Sequence, residues 1–128
     1  MYIRFVVHEI DPDSGRRLGV LHALRYLRDD GKLLPWQHDR SDEIGGWFNT
    51  HLERPASFNR SSRPHRIEKA LSWFKDSATK HIAMMREVKA ILESHGVAVD
   101  VIATDRPGYI TYEDDYQVAA EPFADTPT

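Results

Sequence analysis

Over residues 65–94 apolar side chains recur at a helical period: Ile67, Ala70, Leu71, Phe74, Ala78, Ile82, Met85, Val88 and Leu92. At about 100° per residue they fall within a sector of roughly 120°, sustained for about eight turns, which is the pattern of a helix laid on a core. Gly96 follows as a stop, because glycine takes the left-handed conformation at a helix end without steric cost. In a chain of 128 residues a helix of that length acts as a spine, and the remaining segments must cover its apolar side. Trp73, Met84 and Ile91 lie on the shoulder of the stripe, where a second helix or another subunit would cover them.

The segments on either side of this spine read mainly as strands and shorter helices. Tyr2–Ile10 is β-branched and aromatic, with Ile3, Phe5 and Val7 on one face and Tyr2, Arg4, Val6 and His8 on the other. Asp11, Pro12, Asp13, Ser14 and Gly15 supply turn chemistry. Val20, Leu21, Ala23, Leu24 and Leu27 then share one arc of a helix over residues 16–29, with Gly31 as its stop. Residues 33–40 read as irregular. Ser41 before Asp42 and Glu43 resembles an N-cap, and opens a helix with Ile44, Trp47, Phe48 and Leu52 on its stripe. Residues 54–64, with two prolines and several serines, read as a loop.

After Gly96, Val97, Val99, Val101 and Ala103 alternate with a wetter face, which predicts a strand over residues 97–104. Arg106-Pro107-Gly108-Tyr109 has the composition of a type II turn. A single strand running on through Tyr116 would bury Asp114, so a turn at Glu113-Asp114-Asp115 is expected instead, giving a hairpin of Tyr109–Glu113 against residues 116–121. The resulting expectation is an α+β fold. A small, mainly antiparallel sheet of three to four strands packs against three helices, in the order β-α-α-α-β-β-β. Residues 1–122 form one domain and residues 123–128 a frayed tail.

Composition removes several classes of function. The chain has no cysteine, so disulfides, thiol nucleophiles and thiolate metal sites are excluded. No apolar run approaches the roughly 20 residues of a membrane span, and the N-terminus lacks the form of a signal peptide. A cytoplasmic protein with no membrane partner is the expectation. Residues 97–128 hold seven acidic residues and one basic residue, Arg106, leaving −6 there against +3 for residues 1–96. Two faces that attract each other in the fold account for this split better than a basic binding surface does.

The segments Trp47-Phe48-Asn49, Trp73-Phe74-Lys75 with His81, and Arg106-Pro107-Gly108-Tyr109-Ile110 leading to Tyr112-Glu113-Asp114 with Gln117 carry a resemblance. Together they resemble a group of small uncharacterised bacterial proteins. The resemblance implies a bacterial cytosolic protein of about this length, and implies no activity.

Candidate sites follow from residue type and phase. His81 falls inside the apolar arc, so it is expected to point inward, as a core histidine or as a base in a pocket. His8, His81, Tyr112 and Asp114 are the weak catalytic candidates, if the fold brings them together. Glu113, Asp114 and Asp115 form the densest acidic cluster. Paired carboxylates there could do acid–base work or hold Mg²⁺, but a nuclease-like site would want a lysine in the following strand, which holds none, and a polar turn is the expected role. No tight ligand spacing points to a metal, and no phosphate-loop, dinucleotide or nucleophile-elbow motif points to a cofactor. Arg54, Phe58, Arg60, Arg63 and Arg66 form the basic stretch with an aromatic that a phosphate-bearing or protein partner would use. The reading is a non-enzymatic interaction protein that binds a macromolecular partner, another protein or a second copy of itself. A nucleic-acid-binding module using residues 54–66 and a small enzyme with a pocket near His81 are the alternatives.

Overall fold

The computed structural model describes residues 1–12, 15–53 and 70–128. The elements are β1 (Tyr2–Ile10), β2 (Arg17–Gly19), α1 (Val20–Asp29), α2 (Pro35–His51), β3 (Leu71–Lys75), α3 (Thr79–Ser94), β4 (Val99–Thr104), β5 (Tyr109–Glu113) and β6 (Gln117–Glu121). The class is α+β with a six-stranded sheet whose described pairings are all antiparallel. The sheet therefore exceeds the three to four strands expected, and the order is β-β-α-α-β-α-β-β-β. No described helix is long and apolar enough to cross a membrane.

β1 organises the sheet. Along one edge it pairs with β4 through six consecutive residues, from Tyr2 opposite Thr104 to Val7 opposite Val99. Its other edge is divided. β3 takes Tyr2 and Ile3, and β2 takes Val6 and Ile10. β3 then pairs with β6, and β6 with β5. One face of the sheet carries Phe5, Val7 and Phe74 into the main core with α1, α2 and α3. On the opposite face Leu71, Trp73, Val118 and Ala120 form a second cluster, with Tyr2 and Ile102 against it.

The long helix over residues 65–94 is the main correction. Among the described residues of that span only Thr79–Ser94 is helical, and Leu71–Lys75 is a strand. Both faces of β3 are covered: Leu71 and Trp73 enter the second cluster while Phe74 enters the first. A strand buried on both sides reads as a continuous apolar run, which a helical period fits equally well over five residues. Trp73 is accordingly not on a helix shoulder but is 1% exposed in the sheet. Residues 65–69 lie outside the described residues.

Two smaller corrections concern helix starts. Residues 16–19 are not helical: Arg17–Gly19 pairs with β1, and α1 begins at Val20. Ser41 is not an N-cap but is buried within α2. That helix starts at Pro35, which suits a first position because it has no N–H to satisfy. Gln37 then accepts the Leu34 N–H through Oε1 at 3.0 Å, the same reach-back by which a third-position glutamine closes a capping box. Gln37 Nε2 also donates to Ser94 Oγ at 3.1 Å, and Arg40 forms a two-pronged pair with Glu87 at 2.7 and 2.8 Å. These contacts fasten α2 to α3.

The hairpin of β5 and β6 forms as expected. The turn ahead of it differs from type II. Gly108 has φ +133°, well away from the roughly +80° that a type II turn requires. Its need for glycine is a close approach: an added Cβ would lie 2.0 Å from the Glu121 carbonyl oxygen. Beyond β6, Thr126 Oγ1 donates to the Arg106 carbonyl at 3.1 Å, and the Arg106 guanidinium lies 5.3 Å from the Phe123 ring centroid. Gly108→Ala should destabilise the protein by about 2 kcal/mol or more, since both the positive φ and the backbone contact oppose a methyl group. Denaturant unfolding within about 0.5 kcal/mol of the parent would contradict that crowding.

Candidate functional site

His81 sits in the first turn of α3, one turn from the β3–α3 connection that sets the helix on the sheet. It is 4% exposed, as its phase predicts. Tyr116 stacks on its ring at 4.5 Å and Trp47 meets it edge-on at 4.8 Å. His51 stacks in turn on Trp47 at 4.3 Å, completing a run of four rings. The imidazole Nε2 lies 2.9 Å from the His51 carbonyl oxygen. A carbonyl only accepts, so Nε2 carries the proton and donates it. One nitrogen of the candidate base is thus engaged in holding the end of α2.

Asp114 lies in the turn between β5 and β6, where each carboxylate oxygen receives two donors. Oδ1 accepts the Tyr116 and Gln117 backbone N–H groups at 2.8 and 3.0 Å. Oδ2 accepts the Tyr112 hydroxyl at 2.7 Å and Gln117 Nε2 at 3.1 Å. Burial pushes the carboxyl up, but these four hydrogen bonds together outweigh it and hold Asp114 below the usual carboxylate range. Gln117, 1% exposed, also donates from Nε2 to the Glu53 carbonyl at 2.7 Å. His81 and Gln117 therefore grip the same short run of backbone, residues 51–53, where the chain leaves α2.

His81, Asp114, Tyr116, Trp47, Thr50 and Lys80 line one cleft of about 760 Å³. His8 does not join them. It is 69% exposed and lies 3.4 Å from Asp100 Oδ2, beside Arg17, which reaches the same oxygen at 2.5 Å. The Arg17 hydrogen bond holds Asp100 below its ordinary value, with His8 a lesser contributor. The structure thus brings His81, Tyr112 and Asp114 to one end of the hairpin and leaves His8 beside β4. Among the described residues no three His, Cys, Asp or Glu groups are arranged to hold a metal ion. Arg54, Phe58, Arg60, Arg63 and Arg66 lie outside the described residues.

Two participants escape a reading of sequence alone. Lys75, placed by its phase in the long helix, ends β3 and pairs with Glu113 at 2.6 Å. That pair raises the Lys75 ammonium above its ordinary value, and it supplies the acidic cluster with the lysine that the following strand lacks. Gln117 is a polar residue on a strand covered on both sides, and its role comes from two acceptors, the Asp114 carboxylate and the distant carbonyl of residue 53. Comparison with protein-family models, with curated proteins and with solved structures finds no match.

Asp114→Ala should cost about 2–3 kcal/mol, because four donors lose their acceptor at once. The depressed carboxyl also fixes the pH dependence. Its contribution is present above the unfolded value near about 4 and is lost as pH falls through the lower folded value. The stability gap between the parent and Asp114→Asn should therefore be largest at neutral pH and shrink toward pH 2. A gap measured by urea unfolding that stays constant over that range would contradict the hydrogen-bond assignment.

Proposed function

We propose that this chain is a non-enzymatic interaction protein that binds a protein partner by adding a strand at β4, with a second copy of the chain as the first such partner. The observation that carries this reading is the state of the sheet edges. Open strand edges present unpaired N–H and C=O groups that another strand can complete, and proteins blunt them by shortness, bulges or charge. Among the described strands β2 is three residues long. β5 has a register shift between Ile110 and Tyr112. β4 has neither protection: it runs six residues in unbroken register with β1 and pairs with no other described strand.

The side chains of β4 favour the same use. Asp100 is its one charged residue, and that charge is engaged by Arg17 and His8. Val101 is 45% exposed on the strand. In an antiparallel pair of β4 strands with the two-fold axis between Val101 and Ile102, Asp100 would face Ala103 rather than its own copy. No like charges would then oppose one another.

The alternatives have less support. Arg17, Arg28, Arg40, Lys75, Lys89 and Arg106 each have a carboxylate partner, whereas a nucleic-acid surface keeps its cations available to phosphates. At the cleft, both carboxylate oxygens of Asp114 are engaged by backbone and side-chain donors and His81 gives its Nε2 proton to a backbone carbonyl rather than to that carboxylate, which weighs against a histidine–carboxylate pair doing acid–base work there.

Sedimentation equilibrium between about 10 μM and 1 mM should show a reversible monomer–dimer equilibrium, and Val101→Lys should abolish it without lowering the melting temperature. A parent protein that is monomeric over the whole range, or a lysine variant that dimerises equally well, would contradict the proposal.

A further inference from the structure

The divided edge of β1 leaves a gap. β3 pairs with Tyr2 and Ile3, β2 with Val6 and Ile10, and Arg4 and Phe5 fall between them. Arg4 fills this gap on the face that carries the second apolar cluster. It is 8% exposed, and its Nη2 donates to the Arg17 carbonyl at 3.1 Å. The guanidinium lies 5.7 Å from the centroid of the Trp73 ring. Among the described residues its Nη1 is buried without a hydrogen-bond partner, and so is Nε1 of Trp73.

Two neighbouring donors left unmet in one place call for an explanation, because buried donors in folded proteins are almost always satisfied. The charge makes the demand stronger. A buried guanidinium is normally matched by an anion, and among the described residues Arg4 has no carboxylate partner. Burial, reinforced by the nearby charges of Arg17 and Arg16, pushes Arg4 down to about 10. Both Arg4 and Trp73 line a cavity of about 460 Å³, within the size range of small-molecule sites. Its walls are largely apolar, with Phe5, Val20, Leu21, Phe48, Phe74 and Met85 among them.

We infer that this cavity binds a small monocarboxylate with an apolar body. The carboxylate takes Arg4 Nη1 and Trp73 Nε1, one donor for each oxygen, and the body lies along the apolar wall. A single negative charge fits better than two, because Asp11 and Glu53 also line the cavity and oppose a dianion. Both donors have almost no surface open to water in the free protein, so binding requires local rearrangement around them. This site is separate from the β4 edge, and each can fail without the other.

The test is isothermal titration of the full chain with hexanoate, decanoate and 4-phenylbutyrate, each beside its uncharged primary amide. Acetate and inorganic phosphate serve as small-anion controls. At least one of the larger acids should bind about tenfold or more tightly than its amide, and should change Trp73 fluorescence. Arg4→Met, which removes the charge while keeping an apolar chain of similar length, should stay folded and bind acid and amide equally. Trp73→Phe should weaken the acid and leave the amide unchanged. No binding by any acid, equal binding of acid and amide by the parent, or unchanged discrimination in Arg4→Met would each overturn the assignment. Acetate or phosphate binding as tightly as the larger acids would overturn it as well, by showing a bare anion site without an apolar pocket.

Discussion

The pairing of β1 with three other strands is the constraint on which the rest of the molecule depends. β4 occupies one edge from Tyr2 to Val7, while β3 and β2 divide the other. Phe5, Val6 and Val7 are consecutive and all buried, which a strand achieves only when both of its faces are covered. From this follow the two apolar clusters, one on each side of the sheet. The gap that Arg4 fills follows too, because a strand that changes partners midway leaves residues that neither partner reaches.

The helices are attached by different means. α1 and α3 bury regular apolar stripes against the sheet, and this burial provides most of the stability of such elements. α2 buries Gln37 and Ser41 beside Ile44 and Phe48, and it carries Gly45 and Gly46, which weaken a helix interior. Polar contacts compensate at both ends. Gln37 and Arg40 hold its start to α3. His81 and Gln117 hold the backbone where it ends. Residues with the chemistry of a catalytic site are here occupied in closing a fold around a helix of low apolar content.

Much of this was legible in the sequence, and the failures have physical causes. β1, β4 and the β5–β6 hairpin follow from alternation. The turn at Asp114 follows from the cost of burying a carboxylate, and that residue proves to be the hub of the turn. The inward aim of His81 follows from helical phase. β3 was hidden because Leu71, Trp73 and Phe74 are apolar on both faces, so that two-sided burial imitates a helix. The start of α2 was hidden because Ser41, Asp42 and Glu43 have stronger capping chemistry than Leu34 and Pro35, although Pro35 suits a first helical position. What His81 and Gln117 bind could not be read, because their acceptors are carbonyls 30 and 64 residues away, and a backbone carbonyl leaves no mark on side-chain pattern.

The polar residues of the cleft fasten the fold, and the edge of β4, open among the described strands, is where we propose that a partner attaches. Residue-resolved amide hydrogen exchange across Val99–Thr104, at a concentration where the protein is monomeric, tests it most directly. In an antiparallel edge strand alternate N–H groups point toward the neighbouring strand and away from it. Alternating protection is expected in the monomer, slow where the amide faces β1 and fast where it faces outward, with the fast set becoming slow at concentrations that favour the dimer. Uniform slow exchange along β4 in the monomer would mean that the edge is already covered, and would contradict the claim.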